Sequence, residues 1–301
     1  MTIVLARDGQ RAEVRRSGAA LCSWTTAGRE RLCTLAPDHP SHAFDGATLV
    51  PWPNRIRDGR YSFGGRAHQL PVTEPERRSA LHGLASGVTW TVSATTPSAV
   101  TLRQAVGPVP GYPYAVEAQV TYRLMAEGVV AELVATNHGH QPAPFGCGSH
   151  PYVRAPARID AARLTLPAAS FVPADDRLLP AGPPEPLDGT AIDFRSARAV
   201  GGTRLDTCFA GLMRDSDGLA RVRVDEVTLW LDAAFQYVHV YTADDDPDPA
   251  LRRTRLAVEP VTCAPDAFNT GLGLLSLAPG QSFRGRWGLT LTSSCRVLPR
   301  R

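Results

Sequence analysis

Short runs in which apolar and polar residues alternate recur along the whole chain, and most of them end at Gly, Pro, Asn or Asp. Alternation with a period of two is typical of β-strands with one buried face, whereas helical periodicity is weak throughout. The clearest strands are predicted at 116–124, 129–134, 222–231, 237–241 and 282–291. The pattern therefore predicts an all-β fold of mostly antiparallel strands.

The length of 301 residues would accommodate two ordinary domains or one large β domain. The 26 Gly and 26 Pro residues are spread along the chain, and no stretch has the composition of an interdomain linker. The Pro-rich segment 180–186 is predicted to be a surface loop.

Composition and charge narrow the class of protein. A hydrophobic content of 43% with 20% charged residues is typical of a globular protein. All 32 basic residues are Arg and they are scattered among 29 acidic residues, so no nucleic-acid partner is expected. No window approaches 18 apolar residues and no secretory leader is evident, so no membrane partner is expected either. The six cysteines lack C-x-x-C spacing, which favours reduced thiols and a cytoplasmic location.

One acid stands out. The apolar run 256–258 leads into Glu259, and Pro260 favours extended geometry in the residue before it, so the carboxylate is predicted at a strand end. The segment from Asp266 to Asn269, closed by Gly271, is predicted to be an ordered loop behind that acid. On residue type alone, an acid such as Glu259 is more often a salt-bridged surface residue.

Two histidines lie in glycine-containing motifs. Gly148 and Pro151 flank the segment that carries His150, which is predicted at a turn or strand end and could donate a proton near pH 7. A capping or turn role is the alternative for His150. His82, between Leu81 and Gly83, is by residue type more often a structural histidine than a functional one.

Three further polar residues are candidates for binding. Asn54 and Arg55 follow Pro53 in a predicted turn, where the planar guanidinium suits paired hydroxyl or carboxylate groups. Asp206 is flanked by Leu205 and Phe209, so it could be half-buried and would then need donors, either from backbone amides of a turn or from bound hydroxyl groups.

Five motifs occur in a fixed order along the chain: N-R-I-x-x-G-x-Y-x-F-x-G from Asn54, L-H-G-L from Leu81, G-S-H-P-Y from Gly148, L-D-T-x-F from Leu205, and A-V-E-P-x-T-x-x-P-D-A-F-N from Ala257. Each motif alone is weakly specific, but the ordered set resembles the aldose 1-epimerase (mutarotase) family over 52–287. The G-S-H-P-Y motif differs from the T-N-H form of the best-known galactose mutarotases. Together with P-W-P-N-R and E-P-x-T, it resembles a bacterial branch that includes sulfoquinovose-associated epimerases.

This resemblance implies a galactose-mutarotase-like β-supersandwich, a single domain over residues 1–301, with a sugar cleft on its concave face and neither metal nor cofactor. It implies that Glu259 is the general base and His150 the general acid. The implied sugar contacts are Asn54, Arg55, His82 and Asp206. His239 occupies a position where many relatives have Gln, so a third histidine is expected to face the sugar. We expect a monomer or a homodimer.

Exchange of α and β anomers needs a proton removed from the C1 hydroxyl and a proton added to the ring oxygen. We therefore expect Glu259 and His150 on opposite sides of the sugar ring. Glu259 should be ionised beside positive or donor groups rather than deep in apolar packing, and His150 should hold a proton.

Three alternatives remain open at this point. A hexose-6-phosphate 1-epimerase would use Arg57, Arg60, Arg77 or Arg78 for the phosphate. A glycosidase would pair Glu259 with Asp206. A noncatalytic carbohydrate-binding β-sandwich would bind a sugar with the same residues.

Overall fold

The computed structural model describes residues 1–35, 44–155 and 158–292, whose regular secondary structure is almost all β-strand. The strands of the first half are β1 Thr2–Arg7, β2 Gln10–Arg15, β3 Ala20–Thr26, β4 Arg29–Glu30, β5 Thr48–Leu49, β6 Arg55–Arg57, β7 Arg60–Phe63, β8 Arg66–Gln69, β9 Ser79–Leu81, β10 Thr91–Thr96, β11 Ala99–Ala105, β12 Val116–Met125, β13 Gly128–Asn137, β14 Ala143–Phe145 and β15 Gly148–Ser149.

The strands of the second half are β16 Tyr152–Arg154, β17 Arg163–Thr165, β18 Ala168–Val172, β19 Glu185–Pro186, β20 Arg198–Ala199, β21 Asp206–Leu212, β22 Ala220–Val224, β23 Val227–Leu231, β24 Tyr237–Tyr241, β25 Arg255–Val261, β26 Leu275–Leu277 and β27 Ser282–Leu291. Within the described ranges, helix is limited to α1, Ala267–Thr270, and two short 3₁₀ turns, Pro75–Arg77 and Ile159–Ala161.

Two large antiparallel sheets form the body of the protein. One has nine strands in the order β10-β11-β12-β13-β27-β23-β22-β17-β20. The other has the order β19-β18-β21-β24-β25-β15-β5, with β16 also paired to β25. Apolar side chains from both sheets belong to one buried cluster that extends from Leu5 to Leu289. The all-β prediction is confirmed, and the single-domain prediction for residues 1–301 stays a prediction.

The alternating sequence pattern located the strands well. The predicted hairpin at 116–134 is β12 and β13, with Met125 paired to Gly128 at the turn. The predicted strands at 222–231, 237–241 and 282–291 are β22 with β23, β24, and β27. These segments each bury one face in the shared core, so their period of two was a strong signal.

One local prediction was wrong. Glu259 was predicted at a strand end, but β25 continues through Pro260 to Val261. The amide of Val258 donates to the Pro151 carbonyl, and the amide of Thr262 donates to the Cys147 carbonyl. Pro260 lies between these two hydrogen bonds, next to the gap that separates β15 from β16. A proline is tolerated there because its missing N–H has no regular ladder partner to lose.

The described residues also bear on the expectations for the cysteines, for membrane-spanning segments and for metal sites. Cys22, Cys33, Cys147, Cys208 and Cys263 are free thiols, and Cys295 lies outside the described residues. None of the helices in the described ranges is long and apolar enough to cross a membrane. No cluster of three His, Cys, Asp or Glu side chains suited to a metal ion occurs within those same ranges.

Candidate active site

A polar cleft of about 400 Å³ opens on the face of the eight-stranded sheet that points away from the core. All seven residues that the sequence nominated for the site line this cleft. The complete lining is Phe44, Asn54, Arg55, Glu74, Glu76, Arg77, Leu81, His82, His150, Tyr152, Asp206, His239, Tyr241, Asp245, Pro247 and Glu259.

Strand alternation explains why Asp206, His239 and Glu259 meet in the cleft. On β24, Val238 and Val240 point into the hydrophobic core, so His239 points to the opposite face. His239 lies directly opposite Glu259 on β25, and Asp206 begins the next strand, β21. Core residues next to each polar residue, Leu205 for Asp206, Val238 and Val240 for His239 and Val258 for Glu259, therefore fix the direction of its side chain.

His150 reaches Glu259 because the strand beside β25 is interrupted. Gly148 of β15 pairs with Val261, and Tyr152 of β16 pairs with Ala257, so His150 lies in the gap opposite Glu259. Its Nε2 atom is 3.3 Å from Oε1 of Glu259. The turn or strand-end position predicted for His150 agrees with this geometry.

The Glu259 and His150 side chains are buried in the floor of the cleft, with 2% and 6% of their surfaces exposed. Burial raises the pKa of Glu259 to about 7 and lowers the pKa of His150 to about 3. Among the described residues, neither Oε2 of Glu259 nor Nδ1 of His150 has a hydrogen-bond partner. The sequence led us to expect an ionised Glu259 outside deep packing and a protonated His150. The structure instead gives a neutral imidazole beside a carboxyl group that titrates near neutral pH.

Asn54 and His82 form one edge of the cleft and hold each other in place. Both adopt left-handed backbone conformations, with φ of 57° and 55°, as in a tight turn. The Asn54 amide donates to Nδ1 of His82 at 3.1 Å, and the His82 amide donates to the Asn54 carbonyl at 2.9 Å. Burial and nearby positive groups lower the pKa of His82 well below its usual value. A neutral His82 that accepts at Nδ1 carries its proton on Nε2 and can act as a donor.

His239 and Asp206 form a second pair beside Asn54, with Nε2 of His239 2.7 Å from Oδ1 of Asp206 and Nδ1 of His239 3.4 Å from Nδ2 of Asn54. Burial disfavours both charges, but each supports the other. The hydrogen bond and the negative charge of Asp206 raise the pKa of His239, and the hydrogen bond to His239 lowers the pKa of Asp206.

Arg55 is held by an acid that sequence reasoning missed. Its Nε and Nη2 atoms donate to the two carboxylate oxygens of Glu74 at 2.7 and 2.8 Å. Its Nη1 atom lies 3.9 Å from Asp206, toward the cleft. Glu74 lies in the charged stretch T-E-P-E-R-R, which is typical of an exposed turn and carries no local signal of a buried partner.

The segment from Asp266 to Asn269 was predicted to be an ordered loop; it is ordered, but most of it belongs to the short helix α1, with Asp266 as the N-cap residue. It braces the strand that begins with Arg55. The Asp266 amide donates to the Arg55 carbonyl at 2.7 Å, and its carboxylate accepts from the Arg57 amide at 2.9 Å. Asn269 donates to the Arg60 carbonyl at 2.9 Å. This segment therefore positions β6, and Asp266 and Asn269 are not among the residues that line the cleft.

Two aromatic residues that the sequence did not nominate complete the cleft. The ring of Phe44 lies 4.6 Å from His82 and the ring of Tyr152 lies 5.0 Å from His150, measured between centroids. They limit the directions in which the imidazoles can turn.

Comparison with known proteins identifies the family. A sequence model of the family described as aldose 1-epimerase matches residues 1–290. The chain belongs to the aldose 1-epimerase family. It is 32% identical to the uncharacterized protein YihR of Escherichia coli (strain K12), over 94% of this chain and 91% of that protein.

The curated galactose mutarotases match over about half of their length. The chain is 31% identical to galactose mutarotase of Mus musculus, over 52% of this chain and 46% of the mouse protein. Among solved structures, the GalM/aldose epimerase homologue from C. elegans has a TM-score of 0.85 at 21% identity, covering 97% of this chain and 98% of that one. Galactose 1-epimerase from Lactobacillus acidophilus NCFM has a TM-score of 0.80 at 20% identity, covering 97% and 94%. The galactose-mutarotase-like fold is thereby confirmed.

Proposed function

We propose that this protein is a cofactor-independent aldose 1-epimerase that interconverts the α and β anomers of a hexose or hexose derivative. The observation that supports this most strongly is the contact of 3.3 Å between Glu259 and His150 on the floor of a polar cleft. A carboxyl group and an imidazole in contact, each with one buried atom that lacks a partner among the described residues, are suited to proton transfer.

The geometry changes the picture of the reaction in one respect. The two side chains are too close together to lie on opposite sides of a sugar ring. The C1 hydroxyl oxygen and the ring oxygen are both bonded to C1, however, so a neighbouring acceptor and donor match two neighbouring atoms. In this arrangement the Glu259 carboxylate removes the hydroxyl proton while protonated His150 gives a proton to the ring oxygen. The bond between C1 and the ring oxygen breaks, and the open chain is an aldehyde.

Ring closure reverses these steps after rotation about the bond between C1 and C2. The hydroxyl returns a proton to His150, and Glu259 returns its proton to the new C1 oxygen, so the enzyme ends as it began. The pair holds one proton in total. With a pKa of about 7 for Glu259 and about 3 for His150, that proton rests on the carboxyl group. The reactive form needs it on the imidazole, and the direct contact between the two side chains provides the path.

The other nominated residues are suited to holding the sugar. Arg55 and the Nε2–H of His82 offer donors, and Asp206 offers an acceptor, in the same cleft as the acid and base. Asn54 and His239 support these groups through the contacts described above. This arrangement could fix several ring hydroxyls at once, which is what selects a productive orientation.

The charge of the cleft favours a sugar without phosphate. Of the four arginines considered for a phosphate, only Arg77 lines the cleft, and it pairs with Glu74 at 3.4 Å. Arg57 pairs with Asp266, and Arg78 pairs with Asp58. The lining contains two arginines, Arg55 and Arg77, against five carboxyl groups, on Glu74, Glu76, Asp206, Asp245 and Glu259. An added dianion would meet repulsion there.

An NMR anomer-exchange assay tests the proposal with D-galactose, D-glucose, sulfoquinovose and D-glucose 6-phosphate as substrates. We expect faster exchange of at least one neutral hexose, and loss of that exchange in Glu259→Gln with the near-UV circular dichroism retained. His138→Gln, a change at an exposed histidine, is the control and should retain activity. Sugar binding without faster exchange would show a binding module instead. The cytoplasmic location and the monomeric or dimeric state stay predictions.

A further inference from the structure

We propose that Tyr152 is a positioning residue whose ring, itself fixed by Arg255, holds the imidazole of His150 in the orientation that faces Glu259. This inference rests on the proposed function, because His150 is the acid of that reaction. It gives a role to the last residue of the G-S-H-P-Y motif, which the proposed reaction does not otherwise use.

The proposed reaction requires one particular orientation of the His150 ring. Its Nε2 atom is 3.3 Å from Oε1 of Glu259, and its Nδ1 atom has no hydrogen-bond partner among the described residues. Half a turn of the ring about the bond between Cβ and Cγ would put the carbon Cε1 where Nε2 lies, and a carbon cannot carry the proton. Catalytic histidines are usually fixed by a hydrogen bond to the second ring nitrogen. Without such a bond, the orientation of His150 depends on the side chains packed against its ring.

Three rings of the described residues lie close to His150, and Tyr152 is the nearest. The distances between ring centroids are 5.0 Å to Tyr152, 5.3 Å to His82 and 6.4 Å to Phe44. The planes of the Tyr152 and His150 rings are inclined by 31°, which is an offset stack, whereas His82 meets His150 edge-on at 76°. In a closely packed stack, one ring cannot turn without driving its edge into the other. Tyr152 is therefore the main barrier to rotation of the imidazole.

The sheet register fixes the place of the Tyr152 ring. Tyr152 lies directly opposite Ala257, which is two residues before Glu259 and therefore on the same face of β25. Ala257 is fully buried, and its small side chain leaves room for a large ring on the neighbouring strand. On the other side of β16, the Cys33 amide donates to the Tyr152 carbonyl at 2.8 Å. The backbone of Tyr152 is thus held from both sides.

Arg255 confines the Tyr152 ring on the side away from His150. Arg255 and Glu259 lie four residues apart on one face of β25, and the position opposite Tyr152 is midway between them. The guanidinium carbon of Arg255 is 4.2 Å from the centroid of the Tyr152 ring, within the range of a cation–π contact. Arg255 is itself held by ion pairs with two buried carboxylates. The Tyr152 ring therefore lies between a fixed guanidinium and the imidazole that it positions.

Each of these contacts uses the ring of Tyr152 and none requires its hydroxyl group, so two variants separate positioning from other roles. Tyr152→Phe keeps the ring and should leave kcat nearly unchanged. Tyr152→Leu frees the imidazole, so kcat at saturating sugar should fall by at least about tenfold in the anomer-exchange assay. A rise in KM with kcat unchanged in Tyr152→Leu would overturn the inference, because it would show contact with the sugar alone.

Tyr237→Leu is the matched control for weaker packing. Tyr237 is 9% exposed against 6% for Tyr152 and belongs to the same sheet, but it is not among the residues that line the cleft. Both leucine variants should lose stability in urea unfolding, and kcat should fall only in Tyr152→Leu. An equal fall in kcat in the two variants would overturn the positioning role.

Carbon-13 NMR relaxation of a histidine-labelled protein observes the His150 ring without any substrate. The Cε1 resonance, assigned by its absence in His150→Asn, should report a rigid ring in the unaltered protein and in Tyr152→Phe. In Tyr152→Leu the ring should reorient, seen either as a lowered order parameter or as relaxation dispersion. A ring that stays rigid in Tyr152→Leu would overturn the inference. If no sugar shows enhanced exchange, the proposed function fails, and the relaxation measurement still decides whether Tyr152 fixes the imidazole.

Discussion

Strand β25 carries two buried charged side chains on one face, and their surroundings differ completely. Arg255 is 1% exposed, donates to Asp45 at 2.5 Å and to Asp246 at 3.2 Å, and its guanidinium carbon lies 4.2 Å from the ring centroid of Tyr152. Glu259 is 2% exposed, and its one polar side-chain contact within the described part of the chain is with His150 at 3.3 Å. Its second carboxylate oxygen has no partner among the described residues.

The difference distinguishes a charged residue that stabilises the fold from one that can take part in proton transfer. Burial penalises any charge, and the penalty is offset only when opposite charges and hydrogen bonds surround it. Arg255 has that compensation and stays a cation, and its ion pairs hold Asp45 and Asp246 against β25. Glu259 lacks it, so its pKa rises to about 7. A group that can gain or lose a proton near neutral pH is what acid and base catalysis requires.

The largest expected effect comes from removing the compensated charge. Arg255→Met would leave Asp45 and Asp246 buried without their shared cation, which typically costs about 3–5 kcal/mol. Urea unfolding should show a midpoint lowered accordingly. Arg284→Met is the matched control, because Arg284 pairs with Glu132 at 2.7 Å while 64% exposed, and such pairs contribute less than about 1 kcal/mol. Equal losses in both variants would remove the distinction.

Removing the uncompensated charge of Glu259 should have the opposite effect to Arg255→Met: Glu259→Gln should stabilise the fold at alkaline pH. The folded pKa of Glu259 is about 7 against a usual value of 4.5. Below pH 4.5 both states are protonated and the residue costs nothing. As pH rises from 4.5 to 7, the unfolded state ionises first and stability falls, by about 3 kcal/mol in total.

Glutamine at position 259 removes this dependence. The stability of Glu259→Gln relative to the unaltered protein should therefore be near zero at pH 4 and reach a gain of about 3 kcal/mol at pH 8. Urea unfolding at both pH values measures it. A gain of the same size at pH 4 would show that packing, not ionisation, is responsible.

The sequence could predict one side of this comparison far better than the other. Glu259 and His150 lie in short motifs whose order along the chain resembles a known family, and the strands around them alternate clearly. The partners of Arg255 and Arg55 are distant in sequence: Asp45 is 210 positions from Arg255, and Glu74 is 19 from Arg55. Local pattern carries no information about which acid a buried arginine will meet.

Burial of Glu259 was also beyond local reasoning. Pro260 suggested a strand end, where an acid would be solvated. Its tolerance inside β25 depends on the interruption between β15 and β16, and the same interruption admits His150. The altered pKa values of both residues follow from that tertiary arrangement, so the sequence could name the pair but not its protonation.

His150→Asn tests whether the contact with Glu259 is chemical. Asparagine is of similar size but cannot hold or transfer a proton at neutral pH, so we expect kcat to fall by at least about 10²-fold, equivalent to about 2.7 kcal/mol. Anomer-exchange NMR at saturating sugar measures it. Thermal stability should be nearly unchanged, because His150 is neutral when buried. A normal rate would show that Glu259 acts with another partner.

The smallest expected effect concerns Glu74, which holds Arg55 in place as Asp45 and Asp246 hold Arg255. Glu74→Gln keeps one acceptor oxygen but loses the charge and the second bond, leaving Asp206 at 3.9 Å as a competing acid for the guanidinium. Arg55 would then shift toward Asp206 and away from the sugar.

A hydroxyl contact of this kind stabilises the bound sugar and the transition state alike, so KM should rise about tenfold, or about 1.4 kcal/mol, while kcat is unchanged. Glu76→Gln, an exposed acid on the same cleft, is the control and should leave KM within about twofold. Saturation curves for both variants separate the two constants. A fall in kcat at saturation would mean that Arg55 acts on the developing charge of ring opening, and Glu74 would then belong to the chemistry and not only to binding.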